Sequence, residues 1–195
     1  MNAYVSTLRP ALVATALFTV LLGGVYPAAT TVVLNLGFRD QAQGSLIRDR
    51  SGRIIGSKLI GQNFDQPRYL WGRLSATAPS PYNAGASSGS NFGVNNPALL
   101  TAVKDRIKAL KAADPDNKAL IPVDLVTASG SGLDPEISPA AAAYQVARIA
   151  RARAVSPQTV RAAIARSTKG RTFGILGEPR VNVLEVNLRL DGLLT

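Results

Sequence analysis

The sequence predicts an α+β domain, a small sheet with about three helices, held to a membrane by one N-terminal helix. Three observations carry this. An uncharged apolar run lies near the N-terminus, and strand-length and helix-length patterns are mixed after it. Proline follows a capping residue at three separate places. Residues 1–38 form the expected anchor, with the span at about 11–36, and residues 39–195 form a single domain.

From Ala11 to Leu36 no charged residue occurs, and Arg9 on one side and Arg39 and Asp40 on the other bound the run. A helix of that length exceeds the ~30 Å hydrocarbon core of a bilayer. Tyr4 and Tyr26 are the aromatic candidates for the interfaces. Gly23-Gly24 and Pro27 would break a soluble helix but are tolerated in a membrane span, where they mark a kink or a close helix contact. A cleaved signal peptide is the competing reading. The apolar run, however, continues through Val32, Val33 and Leu34, past a cleavage point near Ala28-Ala29.

"GSLIRDRSGRIIGSKLIG" reads as a hairpin with strands Ser45–Arg48 and Arg53–Ile60 and the turn Asp49-Arg50-Ser51-Gly52. Residues 62–96 follow as a long irregular region, which Phe64, Tyr69, Trp71, Tyr82 and Phe92 pin into an ordered loop. Asn96 caps and Pro97 starts a helix whose apolar stripe is Leu99, Leu100, Val103, Ile107 and Leu110. Ala119–Ser129 reads as a short buried strand. Ser138-Pro139 opens a helix with a small inward face of Ala143, Val146, Ala147 and Ala150. Arg148, Arg151 and Arg153 complement its C-terminal dipole. Ser156-Pro157 opens another helix, with Val160, Ala163 and Ile164 inward. Val181–Leu190 alternates as a strand.

The chain has no Cys and no His, which removes thiol nucleophiles, imidazole bases, disulfides and zinc sites built from those ligands. A net charge of +10 suits an anionic membrane surface, an acidic protein or nucleic acid. The basic residues are spread along the chain with a modest cluster at Arg148–Arg153, so nucleic acid is set aside. The stretch Ser129-Gly130-Ser131-Gly132 is neither a Walker loop nor a dinucleotide fingerprint. Two readings of it stand: an anion cradle of backbone N–H groups ahead of a helix, or a tight strand-to-helix connection. Asp134 and Glu136 flank a proline, and with no nucleophile beside them Asp134 reads as a local turn acceptor. No catalytic residue and no metal ligand set is assigned. Ser87–Leu99 is either a recognition loop or a self-packed Ω-like loop. Trp71, Arg73, Tyr82, Asn83, Ser90, Asn91 and Asn95 are the candidate partner-binding residues.

"LIGQNFDQPRYLWGRLSA", "YNAGASSGSNFGVNNPAL", "IPVDLVTASGSGLDPEISPAAAAYQVARIARAR" and "GEPRVNVLEVNL", in this order, resemble the C subunit of the Kdp potassium-transporting ATPase over nearly the whole chain. Leu74, where the family pattern has Pro, and Ser88, where it has Gly, depart from it at loop positions. The resemblance implies an accessory subunit of a high-affinity, ATP-driven potassium importer. Its partners would be a channel-like potassium-binding subunit, a P-type ATPase subunit and membrane lipid. It further implies a catalytic chaperone that raises ATP affinity, with no cofactor of its own but ATP shared with the ATPase subunit. In that role the resemblance implies that Gln145 touches nucleotide, and together with the cradle reading of Ser129, Gly130, Ser131 and Gly132 it makes the candidate nucleotide-binding set. The implied location is the cell inner membrane, with the N-terminus cytoplasmic and the domain extracytoplasmic. These last two implications conflict, because a domain outside the membrane cannot bring Gln145 to cytoplasmic ATP. The alternative is a structural extracytoplasmic subunit near the potassium entrance, its positive charge serving to dock a partner.

Overall fold

The computed structural model describes residues 3–49 and 51–194. Arg50 of the expected turn and the side chain of Tyr4 lie outside the described residues. The chain divides into two compact units, Met1–Leu46 and Ile47–Thr195.

The first unit is a long apolar helix. α1 (Ala3–Val20) passes through a π-helical turn at Leu21–Val25 into α2 (Tyr26–Gly37). Thr7–Gly37 is long and apolar enough to cross a bilayer, and none of its most apolar window is buried within the protein. The π turn lies where the sequence places Gly23-Gly24 and Pro27. A proline ring would strike the carbonyl four residues before it, here that of Gly23. The helix widens instead, and the Tyr26 N–H bonds to Leu21 O, five residues back. Two polar side chains of α2 bond back to its own carbonyls, as an apolar medium favours. Thr30 Oγ1 donates to Tyr26 O at 2.9 Å, and Asn35 Nδ2 donates to Thr31 O at 2.8 Å. A short helix, α3 (Arg39–Ala42), follows.

The expected hairpin follows as β1 (Leu46–Arg48) and β2 (Ile54–Ser57), the second strand ending short of the expected Ile60 because Ile60 N turns back to Ser57 O. Asp49 ties its turn by accepting from Ser51 N at 2.9 Å and Arg53 N at 3.0 Å. After the ordered irregular segment comes α4 (Pro97–Ala113), capped by Asn96. Leu110 is buried and Leu99, Val103 and Ile107 are half-buried, but Leu100 is exposed and does not belong to the inward stripe. Ala119–Ser129 is not a strand. It holds a 3-10 turn at Val123–Leu125 and a single parallel bridge between Ala128 and Leu74. The Asp124 carboxylate organises it by accepting from Ser138 N at 2.7 Å and Ser138 Oγ at 3.2 Å.

The central sheet has the order β3-β5-β4 and is antiparallel throughout: β3 is Glu136–Ile137, β4 Thr168–Lys169 and β5 Arg180–Asn182. Ile137 and Thr168 both stand opposite Val181. The helix begun by Ser138-Pro139 is interrupted at Gln145, giving α5 (Pro139–Tyr144) and α6 (Val146–Arg153). Its inward residues are Ala141, Ala142, Gln145, Val146, Arg148, Ile149 and Ala150, while Ala143 and Ala147 face out, contrary to the expected small-residue face. Ala154 in the left-handed conformation ends α6. α7 (Pro157–Arg166) is capped by Ser156 and buries Val160 and Ala163.

The largest departure is Val181–Leu190. Only Arg180–Asn182 is strand, and Val183–Leu190 is helix α8. Asn182 turns strand into helix. Its Oδ1 accepts from Glu185 N at 3.0 Å, and its Nδ2 donates to Lys58 O at 2.9 Å. Val183, Leu184, Val186, Asn187 and Leu188 then fall on the buried side at helical spacing. Leu70, Trp71, Leu125, Ile149, Val160, Val181 and Val186 centre the main core, and Ile47, Leu184 and Leu188 make a smaller one. Asn182→Ala removes a cap and orphans a carbonyl, so a loss of about 1–3 kcal/mol is expected by denaturant unfolding of the full chain in detergent.

Candidate functional site

Two side-chain carboxamides reach from separate helices to one irregular segment, residues 66–74, which begins as a turn closed by Tyr69 N on Gln66 O. Leu70 N donates to Asn187 Oδ1 at 2.7 Å, and Asn187 Nδ2 returns a bond to Leu70 O at 3.0 Å. The next residue is held in the same way by Gln145: Trp71 N donates to Oε1 at 2.9 Å, and Nε2 donates to Trp71 O at 3.1 Å. Each carboxamide therefore does the work of a neighbouring strand for a piece of backbone that has none. Gln145 Nε2 also donates to Ala141 O at 3.2 Å, and its Oε1 accepts a second bond from Arg148 Nη2 at 2.5 Å. A carboxamide has two donor hydrogens and two acceptor lone pairs. All four of Gln145 are engaged by its own chain, and the residue is 1% exposed.

Arginines complete the grip. Arg148 Nη1 donates to Pro67 O at 2.5 Å, Arg153 Nε to Arg68 O at 2.6 Å, and Arg106 Nη2 to Gly72 O at 2.8 Å. The Arg148 and Arg106 guanidiniums lie 4.5 Å and 5.0 Å from the Trp71 ring centroid, and Trp71 Nε1 donates to Gln66 O. Burial pushes the Arg148 guanidinium down to about 10, which leaves it charged at neutral pH. Arg151 and Arg153 lie in the last turn of α6, as the dipole reading expects, and all three arginines also fasten other parts of the domain. Arg148 is buried, Arg153 also bonds to Leu190 O at 2.9 Å, and Arg151 pairs with the buried Asp114 carboxylate.

The Ser129–Gly132 loop has a different set of partners from Gln145. It is fastened to residues 75–89. Ser131 O accepts from Ser88 N and Ser87 Oγ, both at 3.0 Å, and Gly132 O accepts from Ser75 Oγ at 2.7 Å. Gly132 has φ +69, and a Cβ there would stand 2.5 Å from Thr77 Cγ2 and 2.7 Å from Ser88 O. Its glycine is required by close approach to its own chain. Gly130 meets nothing within 4 Å. Ser129 is buried, and its N–H bonds to Leu74 O while its Oγ has no partner among the described residues. The loop does not open a helix directly, because α5 starts beyond Ser138, where the Asp124 carboxylate already supplies an anion.

The expected partner-binding residues divide. Trp71 lies in the core. Arg73 is half-buried, 3.3 Å from Asp134 and 3.0 Å from Ala128 O. Asp134 Oδ1 accepts from Glu136 N at 2.9 Å, the local turn bond expected of it. Tyr82 donates to Arg73 O at 2.8 Å, and burial pushes its phenol up to about 12. Asn83 caps a 3-10 turn at Ala84–Ala86. Asn91 and Asn95 are exposed and Ser90 half-buried. Ser90 and Phe92 line an apolar groove of about 490 Å³ with Leu74, Ala102 and Ala109. Sequence reasoning missed Asn187, Arg106 and the inward use of Arg148 and Arg153. A helical reading of residues 183–190 would have placed Asn187 beside Val183 and Leu184 on the core face.

Fold and site define a small α+β domain with a polar clasp closed inside it, preceded by one helix long and apolar enough to cross a bilayer. The family profile described as "K+-transporting ATPase, c chain" (KdpC) matches residues 8–192. The chain is 62% identical over 183 residues to the "Potassium-transporting ATPase KdpC subunit" of Herpetosiphon aurantiacus, covering 94% of each. It is 60% identical over 185 residues to the subunit of the same description from Methylococcus capsulatus, covering 95% of this chain and 97% of that one. The chain belongs to the KdpC family of potassium-transporting ATPase subunits.

The two glycines of the loop separate its readings. Gly132→Ala is expected to lower stability by about 2–3 kcal/mol, through strain and overlap. Gly130→Ala is expected to leave the melting temperature within about 2 °C. Thermal melts of both full-length variants check this.

Proposed function

We propose that the chain is a non-catalytic, membrane-anchored assembly subunit of a potassium-transporting ATPase, with its domain on the extracytoplasmic side of the cell inner membrane. It holds together a channel-like potassium-binding subunit and a P-type ATPase subunit and makes no nucleotide contact of its own. The observation that carries this reading is the saturation of Gln145. A nucleotide could gain a hydrogen bond from that carboxamide only by taking one from Trp71, Ala141 or Arg148. The displaced backbone groups would then be buried and unpaired, at about 1–3 kcal/mol each.

The positive charge supports docking over ion collection. A surface of this sign repels potassium, and it complements acidic surfaces on a partner. Any rise in the ATP affinity of the ATPase subunit then comes through the subunits the domain holds in place.

The side of the membrane decides between direct and indirect action on ATP. The native chain has no cysteine, so Val94→Cys and Leu120→Cys, at positions 90% and 94% exposed, each give a single reporter. Both are expected to react with a membrane-impermeant maleimide in intact cells. Labelling only after lysis would put the domain in the cytoplasm and restore direct nucleotide contact as the leading mechanism.

A further inference from the structure

Between β4 and β5 the chain makes a hairpin that ends in Phe173-Gly174-Ile175-Leu176. Its three large apolar side chains are 87%, 74% and 57% exposed. The tip is tightly built. Thr172 N donates to Leu176 O at 2.8 Å, Leu176 N to Thr172 O at 2.9 Å, and Ile175 N to Thr172 O at 3.2 Å. Phe173 and Gly174, the central residues of that turn, both have positive φ, at 55 and 79. Primed hairpin turns of this sign favour Asn-Gly, and a bulky aromatic at the first position is strained. The Phe173 side chain is turned out to the surroundings and is not part of either core cluster.

Behind the tip is a charged collar. Arg171 donates to both Glu178 carboxylate oxygens, at 2.8 Å and 2.7 Å. One step further back Lys169 stands opposite Arg180, and Arg180 pairs with Glu136 at 2.9 Å. Both carboxylates are neutralised by arginine, and exposed Lys169 leaves the collar positive. An apolar tip, a positive collar and a chain of net charge +10 match the layers of an anionic bilayer, where acyl chains lie beneath phosphate headgroups. The bilayer is also within reach by covalent attachment. Between Gly37, where the candidate span ends, and Ile47, where the domain begins, the backbone extends at most about 35 Å. Weak intrinsic affinity is enough for a contact held at such an effective concentration.

We propose that the Phe173–Leu176 hairpin tip is a lipid-inserting finger, a second membrane contact that seats the domain on an anionic bilayer surface. Phe173, Ile175 and Leu176 enter the acyl region, and Lys169 meets the headgroup phosphates.

Phe173→Trp, in the full chain reconstituted into nanodiscs of phosphatidylglycerol and phosphatidylcholine, tests this. The native Trp71 is buried and supplies the background. With nitroxide-labelled lipid, emission from the introduced indole is expected to be blue-shifted and quenched at least about twofold more than that of the parent chain. Adding Ile175→Asp is expected to reverse both effects while the melting temperature holds. Emission that is red-shifted and unquenched would overturn the proposal. A blue-shifted but unquenched signal in the assembled ATPase complex would also overturn it, since the tip would then be seated in a protein pocket.

Discussion

The domain depends on a buried stretch of backbone at Leu70-Trp71 that pairs with side-chain carboxamides instead of a strand. Residues 70–72 run through the interior, carrying Leu70 and Trp71 into the core, and peptide groups cannot be buried there unpaired. Gln145 and Asn187 resolve the conflict by presenting carboxamides in place of a neighbouring strand. Much else follows from their positions. The helix after Ser138 breaks at Gln145, and Arg148 turns inward to share its oxygen. Asn187 needs a core-facing position shortly after the central strand, which a helix at Val183–Leu190 supplies. Fully satisfied polar networks of this kind rigidify a core, whereas a half-satisfied one costs more than an apolar replacement.

A rigid, internally committed interior assigns function to the outside of the molecule. The glycine-serine loop resembles an anion cradle in composition, but its carbonyls and its glycine at position 132 serve contacts with residues 75–89. The nearest helix start is occupied by Asp124. Among the outward features are the exposed Asn91 and Asn95, the groove beside Phe92, the hairpin tip at Phe173 and a surplus of positive charge. Those are the features that the proposed assembly role would use.

Local signals were legible wherever one or two residues decide the geometry. Asn96-Pro97, Ser138-Pro139 and Ser156-Pro157 each start a helix as their chemistry dictates, and Gly23-Gly24 with Pro27 marks the π turn in the apolar helix. The alternation at Val181–Leu190 misled because Val183, Leu184, Asn187 and Leu188 fit a helical face equally well. The deciding cue was present in Asn182 and Glu185, three residues apart, the spacing of a capping box. Ala119–Ser129 lost its strand to the Asp124–Ser138 contact, which joins residues fourteen apart and leaves no trace in periodicity. The role of Gln145 was illegible from sequence for the same reason. Its partner Trp71 lies seventy-four residues away, and a glutamine in a helix looks alike whether it meets a ligand or a backbone.

The clasp account is tested most directly by pairing Gln145→Ala with Asn187→Ala in the assembled ATPase complex. Melting temperature and the KM for ATP would be measured on the folded fraction of each. The two residues do the same physical work, and the resemblance links only Gln145 to nucleotide. The account predicts that both variants melt well below the parent and that both keep its KM for ATP. A Gln145→Ala complex that melts like the parent but needs more ATP, beside an Asn187→Ala complex that does not, would contradict it.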